Sequence, residues 1–344
     1  HALGARMLRR HADHFGRTRN FSIYDGDDQM TVMRAALGEQ GFELKKAEVK
    51  PILRAVDRAK NAGQPASTMA LPSEYVHIDA AELGKTYEAR LRRADAFDFG
   101  DLITRPAVLL AESPRICARY RAIWKWILVD EFQDTNAAQY QWLQLLAPPG
   151  SNIFAVGDDD QSIYGWRGAD VGNILRFPDD YPGCEVVRLE QNYRSHRFIL
   201  DAANGVISHN QKRLGKSLWT DRTDGARLEV YEASDGRTEA HWIAGRIQAL
   251  CADEGYRAGD VAVLMRANHL SLDLENALRL IGMPYTVVRG RAFFERAEIR
   301  DALSYARLLV NPNDEAAFRR AIAAPSRGVG KVSLGHIEEA ATRD

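Results

Sequence analysis

Cysteine is scarce in this 344-residue chain: Cys117, Cys184 and Cys251 stand far apart and form no CxxC pair. That spacing excludes a zinc ribbon or a disulfide framework and predicts small buried or half-buried thiols in a reducing compartment. Long apolar runs are missing as well. None reaches the roughly 20 residues that a helix needs to cross a bilayer, and no signal-peptide pattern appears, so the cytoplasm is the expected location. Net charge is close to nil: 46 Lys and Arg stand against 47 Asp and Glu. This excludes a globally basic polyanion binder, and any grip on nucleic acid has to be local. There is no internal repeat and no low-complexity tract. Nor does the sequence contain GxxxxGK[ST], the glycine-rich loop whose backbone N–H groups cradle phosphates.

What is present is an ordinary composition, 45% hydrophobic and 27% charged, with length enough for two or more domains. The chain opens on His1 rather than Met, inside a stretch that already reads as an amphipathic helix with Leu3, Met7 and Leu8 on one face. The expectation is a chain cut from a longer one. From Phe21 to about Ala94 the pattern is helix-rich. Asp25-Gly26-Asp27-Asp28 reads as a turn into a helix carrying Met30, Met33 and Leu37.

The signal then changes. Apolar runs at Trp126–Val129, Asn152–Val156 and Cys184–Leu189 alternate with helical text and end in polar residues. Buried strands alternating with helices predict an α/β fold with a parallel sheet, whose ligands bind beyond the strands' C-terminal ends. A second β-α-β set is predicted from strands at Arg227–Tyr231, Val261–Leu264 and Tyr285–Val288, with helices at Glu239–Leu250 and Leu272–Ile281.

The strongest chemical signal is Ile127-Leu128-Val129-Asp130-Glu131-Phe132-Gln133-Asp134-Thr135. An apolar strand ending in two acids is a Walker B pattern: the first carboxylate can hold Mg²⁺ beside nucleotide phosphates, and the second can polarise an attacking water. Two acids after a strand are common as solvated punctuation; the continuation Phe-Gln-Asp-Thr-Asn makes the pattern specific. Val129 to Asn136 resembles motif II of the UvrD/PcrA/Rep family of superfamily 1 DNA helicases. Val156 to Ala169 resembles motif III, and Leu189 to Ser195 resembles motif IV, in the family's order. Weaker likenesses cover His1-Ala2-Leu3 (the end of motif Ib), Phe21 to Asp25 (the start of domain 1B), Phe97 to Ile103 (the return to domain 1A), and Gly290 to Asp301 with Ser326 to Gly330 (the start of domain 2B).

The resemblance implies RecA-like P-loop NTPase parallel sheets, incomplete in 1A and 2A, with helical insertion domains 1B and partial 2B. The implied partition is 1–20 in 1A, 21–94 in 1B, 95–190 in 1A again, 191–288 in 2A and 289–344 in 2B. It implies ATP and Mg²⁺ as ligands, with Asp130 on the metal and Glu131 activating water. Gln161 would be a buried amide sensing the γ-phosphate, Arg194 an arginine finger, and Tyr193 a platform for the adenine. The plainer alternatives are a loop-stabilising glutamine, a surface salt bridge and a domain-interface tyrosine. DNA contacts are implied for His1, Tyr164, Trp166 and Arg167, the aromatic faces stacking on bases without reading sequence. A Tyr-Gly-Trp-Arg cluster with no such role would be plain core. Gly328 and Gly330 would admit duplex phosphates close to the backbone.

The implied function is an ATP-dependent helicase and translocase of 3′-to-5′ polarity in DNA repair or replication. It would act on single-stranded DNA and on junctions between single and double strands. One departure is decisive: the phosphate loop is absent, as are motifs V and VI. The expectation is a chain without ATPase activity, with exposed sheet edges and apolar faces. Two alternatives stay open: a non-catalytic relative that binds DNA or docks proteins, and a helicase subunit of an AddA/RecB-type helicase-nuclease.

Overall fold

The computed structural model describes residues 1–211, 213–288 and 296–341. In chain order its elements are α1 (Ala2–Arg10), β1 (Ser22–Tyr24), α2 (Gly26–Glu39), α3 (Lys46–Asn61), α4 (Ala80–Arg93), β2 (Ala96–Asp98), α5 (Asp101–Glu112), α6 (Pro114–Ile123), β3 (Trp126–Val129), α7 (Ala137–Leu146), β4 (Asn152–Ala155), α8 (Gly172–Asp180), α9 (Arg197–Ile207), α10 (Gly236–Asp253), α11 (Ser271–Leu280), α12 (Ala297–Val310), α13 (Glu315–Ala323) and α14 (Lys331–Ala341). They divide into two compact units: His1–Glu190 with Ile207–Ser217 and Ala297–Asp344, and Gln191–Val206 with Leu218–Arg296.

Local chemistry accounts for the helix starts. The Asp25 carboxylate accepts from the N–H groups of Asp27 and Asp28, and Asp28 returns the contact, so α2 begins in a capping box. Asn136 and Gln139 do the same for α7. Asp235 caps α10, and Asp314 caps α13. The amphipathic opening helix forms as expected, with Met7 and Leu8 buried. So do the expected helices within α10 and α11, which pack on each other as the core of the second unit. Cys117 is buried, while Cys184 and Cys251 are half-buried.

In the first unit, two short parallel pairs carry the architecture. β1 pairs with β2, Ser22 opposite Ala96, so the expected start of 1B and the expected return to 1A are joined as one ladder. The helices α2, α3 and α4 lie between them in sequence and share a core that includes Val32, Met33, Leu37, Ile52, Val56 and Tyr87. Ala316 of α13 enters the same core. Asn311, just before α13, donates to Ser22 Oγ and to the carbonyls of Ala94 and Asp95. β3 and β4 run parallel with Trp126 opposite Asn152 and Val129 opposite Ala155. One face of this pair packs on Phe132 and Tyr140 through Val129, Ile153 and Ala155. The other leaves Trp126, Leu128 and Phe154 exposed. The apolar face expected to lie open is open.

Four expected strands do not form. Cys184–Leu189, Arg227–Tyr231, Val261–Leu264 and Tyr285–Val288 adopt no regular structure, so the second β-α-β set is represented only by its helices. A strand exists through the backbone of its neighbour, and these runs carry no ladder among the described residues. Their apolar side chains show it: Leu189, Val230, Leu264 and Val288 are exposed. The expected start of domain 2B at Gly290 lies outside the described residues; from Ala297 onward it is helical. No helix among the described residues is long and apolar enough to cross a membrane.

Candidate nucleotide and DNA site

The parallel register of β3 and β4 sets the site. Both strands end on the same edge, so Asp130-Glu131 and Gly157-Asp158 leave side by side. The backbone continues the pairing briefly: Val156 N–H donates to Val129 O at 2.8 Å, and Phe132 N–H to Val156 O at 3.0 Å. Glu131 then turns the chain through the left-handed region, at φ 50° and ψ 45°. A non-glycine residue there carries about 1–2 kcal/mol of strain.

Asp130 is exposed. One of its carboxylate oxygens accepts the Glu131 N–H at 2.9 Å, and the other has no hydrogen-bond partner among the described residues. No cluster of three or more His, Cys, Asp or Glu side chains able to enclose a metal occurs among the described residues. A lone, open carboxylate at a strand end suits Mg²⁺, which keeps most of its waters and takes one or two carboxylates plus phosphate oxygens.

Glu131 is also exposed, and its Oε2 accepts from Gln133 Nε2 at 2.7 Å. Gln133 is 1% exposed. Its Oε1 accepts the Asp158 N–H at 2.8 Å. Asp158 in turn accepts from Gln161 Nε2 at 2.8 Å. A continuous line of hydrogen bonds therefore runs from Glu131 in motif II to Gln161 in motif III. Gln161 is exposed rather than buried: the three-residue turn Asp159–Gln161 lies on the surface, and the side chain bonds back to the loop that carries it. Asp134, at the end of motif II, is held above its ordinary pKa by burial and by the charge of Glu131.

The three aspartates of motif III are gripped by a segment far along the chain. Arg213 forks onto Asp160, Nε to Oδ1 at 2.9 Å and Nη2 to Oδ2 at 2.6 Å. Leu214 N–H donates to Asp159 Oδ2 at 2.7 Å, and Lys216 pairs with Asp158. Burial disfavours the charge of Asp158, but hydrogen bonds from Lys216 and Gln161 outweigh it and hold the carboxyl below its usual value.

Beyond Gln161 the loop displays its aromatic end. Trp166 is 69% exposed, which rules out plain core. The Arg167 guanidinium lies 4.6 Å from the centre of the Trp166 ring and 5.2 Å from that of Tyr164. Asn61, the last residue of α3, donates to Arg167 O at 3.0 Å and accepts from Asn136 Nδ2 at 2.9 Å, so the end of α3 braces the loop against motif II. His1 is exposed and meets Phe99 edge-on, ring centres 5.7 Å apart. Gly328 has a left-handed φ of 72°, and a Cβ built on it or on Gly330 would meet open space. Two shallow depressions, of about 250 and 300 Å³, flank Trp124. Neither touches a candidate residue.

In the second unit, motif IV forms a local turn. Asn192 Oδ1 accepts from the N–H groups of Arg194 at 2.9 Å and Ser195 at 2.7 Å. Asn192 N–H donates to Trp219 O at 2.7 Å. The turn presents Tyr193, 77% exposed, with its hydroxyl donating to Gln191 Oε1 at 2.7 Å. Arg194 is exposed, and its guanidinium makes no ion pair or hydrogen bond among the described residues, so the salt-bridge alternative is not realised there. Asp130, Glu131 and Gln161 lie in one unit, and Tyr193 and Arg194 in the other.

Sequence reasoning missed Gln133, Asn61, Arg213 and Lys216. Gln133 stands inside motif II, where its uncharged amide between acids was the available signal. The other three are distant in sequence and carried none.

Comparison with known proteins accords with this arrangement. The UvrD/REP helicase N-terminal domain matches residues 1–182, and the UvrD-like helicase C-terminal domain matches residues 187–343. The ATP-dependent DNA helicase PcrA of Leuconostoc citreum is 41% identical over 344 residues, covering 100% of this chain and 46% of that protein. A probable DNA helicase II homolog of Rickettsia felis is 40% identical over 344 residues, covering 98% of this chain and 52% of that protein. PcrA of Staphylococcus aureus is 41% identical over 345 residues, with 100% and 47% covered. The chain spans about half the length of the curated relatives it matches.

Proposed function

The chain belongs to the UvrD/REP helicase family, and from that premise we propose that the protein is an ATP-dependent helicase and translocase. It moves 3′ to 5′ on single-stranded DNA, opens duplex at single-to-double-strand junctions, and serves DNA repair or replication in the cytoplasm. In this reading β3 and β4 belong to a RecA-like domain 1A, interrupted by a helical domain 1B. The second unit carries 2A, and the C-terminal helices begin 2B.

The observation that carries the proposal is the hydrogen-bonded line Glu131–Gln133–Asp158–Gln161 between two neighbouring strand ends. It suits an enzyme that must tie water activation to nucleotide state. Glu131 orients the attacking water and takes its proton. Gln161 reports the terminal phosphate, releasing Asp158 to reach it. Arg194 neutralises charge developing on that phosphate, and Tyr193 stacks on the adenine. Asp130 would hold Mg²⁺, which neutralises phosphate charge when bound. The rings of the exposed Trp166 and the half-buried Tyr164 stack on bases, with Arg167 and His1 beside the strand. ATP favours one state of the protein only by its differential affinity for that state.

The missing GxxxxGK[ST] loop adds a second element: these 344 residues by themselves turn over no ATP. DNA-stimulated turnover by the purified chain, abolished by Glu131→Gln, overturns that element. In the full-length natural protein, DNA-stimulated turnover that Glu131→Gln abolishes supports the motor. A full-length protein that binds single-stranded DNA without turnover establishes the docking alternative instead.

A further inference from the structure

We propose that Gln133 is a positioning residue for hydrolysis: its buried amide sets the rotamer of Glu131 according to where the motif III loop stands. The proposal rests on the reading of Glu131 as the residue that activates water. Three observations carry it.

First, the orientation of the amide is dictated by its partners. A carboxylate only accepts and a backbone N–H only donates. Nε2 must therefore face Glu131 at 2.7 Å, and Oε1 must face the Asp158 N–H at 2.8 Å. The side chain cannot flip without losing both bonds. Second, the motif III loop closes directly on this amide. A Cβ on Gly157 would lie 2.7 Å from Gln133 Oε1 and 2.9 Å from Ile174 Cδ1. Only a glycine lets the backbone approach so near, so a movement of the loop is transmitted to Gln133. Third, the bond ties down one oxygen of an otherwise exposed carboxylate whose backbone is already held in the left-handed region. Oε2 is engaged, and Oε1 is left to face water. The amide does this as a neutral donor, fixing the position of Glu131 without setting a second charge beside it.

The same amide therefore reads Asp158 at one end and aims Glu131 at the other. Gln161 and Lys216 both bond to the carboxylate of Asp158, so loss of either contact on nucleotide binding would reach Glu131 through Gln133.

The test uses the full-length natural protein and three variants: Glu131→Gln, Gln133→Glu and Gln133→Met. Steady-state kcat and KM for ATP are measured for the DNA-stimulated ATPase, with thermal unfolding alongside. Gln133→Glu is nearly isosteric and keeps the acceptor for Asp158, but removes the donor to Glu131. Both Gln133 variants should lower kcat by about tenfold to hundredfold, a fraction of what a general base contributes, with KM for ATP unchanged. Folded Gln133 variants with wild-type kcat, or with the loss in KM alone, overturn the proposal. So does failure of both variants to fold, which would assign Gln133 to the core alone. If Glu131→Gln keeps full turnover, the reading of Glu131 falls, independently of what Gln133 does.

Discussion

Lys60→Met offers the sharpest test of how α3 is anchored to the junction of β2 and α5. Lys60 is 2% exposed at the end of α3. Its ammonium lies 2.6 Å from Asp98 Oδ2 and 2.9 Å from Asp101 Oδ1, where β2 passes into α5. Removing one partner of a buried pair costs about 3–5 kcal/mol, because the other charge is left without compensation. Here the loss falls mainly on Asp98. Asp101 keeps Arg105 Nε at 3.1 Å, whereas among the described residues Asp98 keeps the Tyr87 hydroxyl at 3.0 Å and the Asp101 N–H at 2.8 Å but no cation. Burial and the charge of Asp101 already hold the Asp98 carboxyl above its ordinary value, against the pull of Lys60. Without the lysine it rises further, at about 1.4 kcal/mol per pKa unit. The pH dependence follows. The unfolded chain gives up this proton first, at the ordinary aspartate value, while the folded chain holds it longer. Stability therefore falls as pH rises from the ordinary value towards the raised one, and falls further in the variant. Urea unfolding should show a deficit of about 3–5 kcal/mol at pH 8 that shrinks at pH 5. A deficit under about 1 kcal/mol at pH 8, or one that does not shrink in acid, refutes the reasoning.

Other substitutions probe separate claims. Gly100→Ala should destabilise by about 1–3 kcal/mol in thermal unfolding, since its Cβ would lie 2.7 Å from Lys60 Cδ and 2.9 Å from Lys60 Cβ. Trp166→Ala should weaken single-stranded DNA binding by about 1–3 kcal/mol, equally for all base sequences, in fluorescence anisotropy titrations. Arg307→Met strips Asp28 and the fully buried Asp314 of their shared cation, which pairs with them at 3.0 and 2.9 Å. Amide hydrogen exchange should then accelerate in α13 by two orders of magnitude or more, as a loss of about 3 kcal/mol implies.

Helix positions, the parallel order of β3 and β4, and the two acids at a strand end were legible in the sequence. Each is a short-range matter: side-chain periodicity, a cap such as Asp25, an apolar run closed by polar residues. The motifs II, III and IV were legible for the same reason, being contiguous. Expectations about a neighbouring strand held for β3 with β4 and failed for the four later runs. Val261–Leu264 has the composition of a strand, but a strand also needs a second backbone in register, and composition does not provide one. Gln161 was taken for a buried amide, while its turn lies on the surface and the buried amide is Gln133. Only the tertiary structure brought Lys60 to Asp98, Asn61 to Arg167, Arg213 to Asp160 and Arg307 to Asp28. Such pairs join segments tens to hundreds of residues apart, and which charge meets which depends on how the intervening helices pack. Residue type determined what each group could do, and packing determined what it was given to do it with.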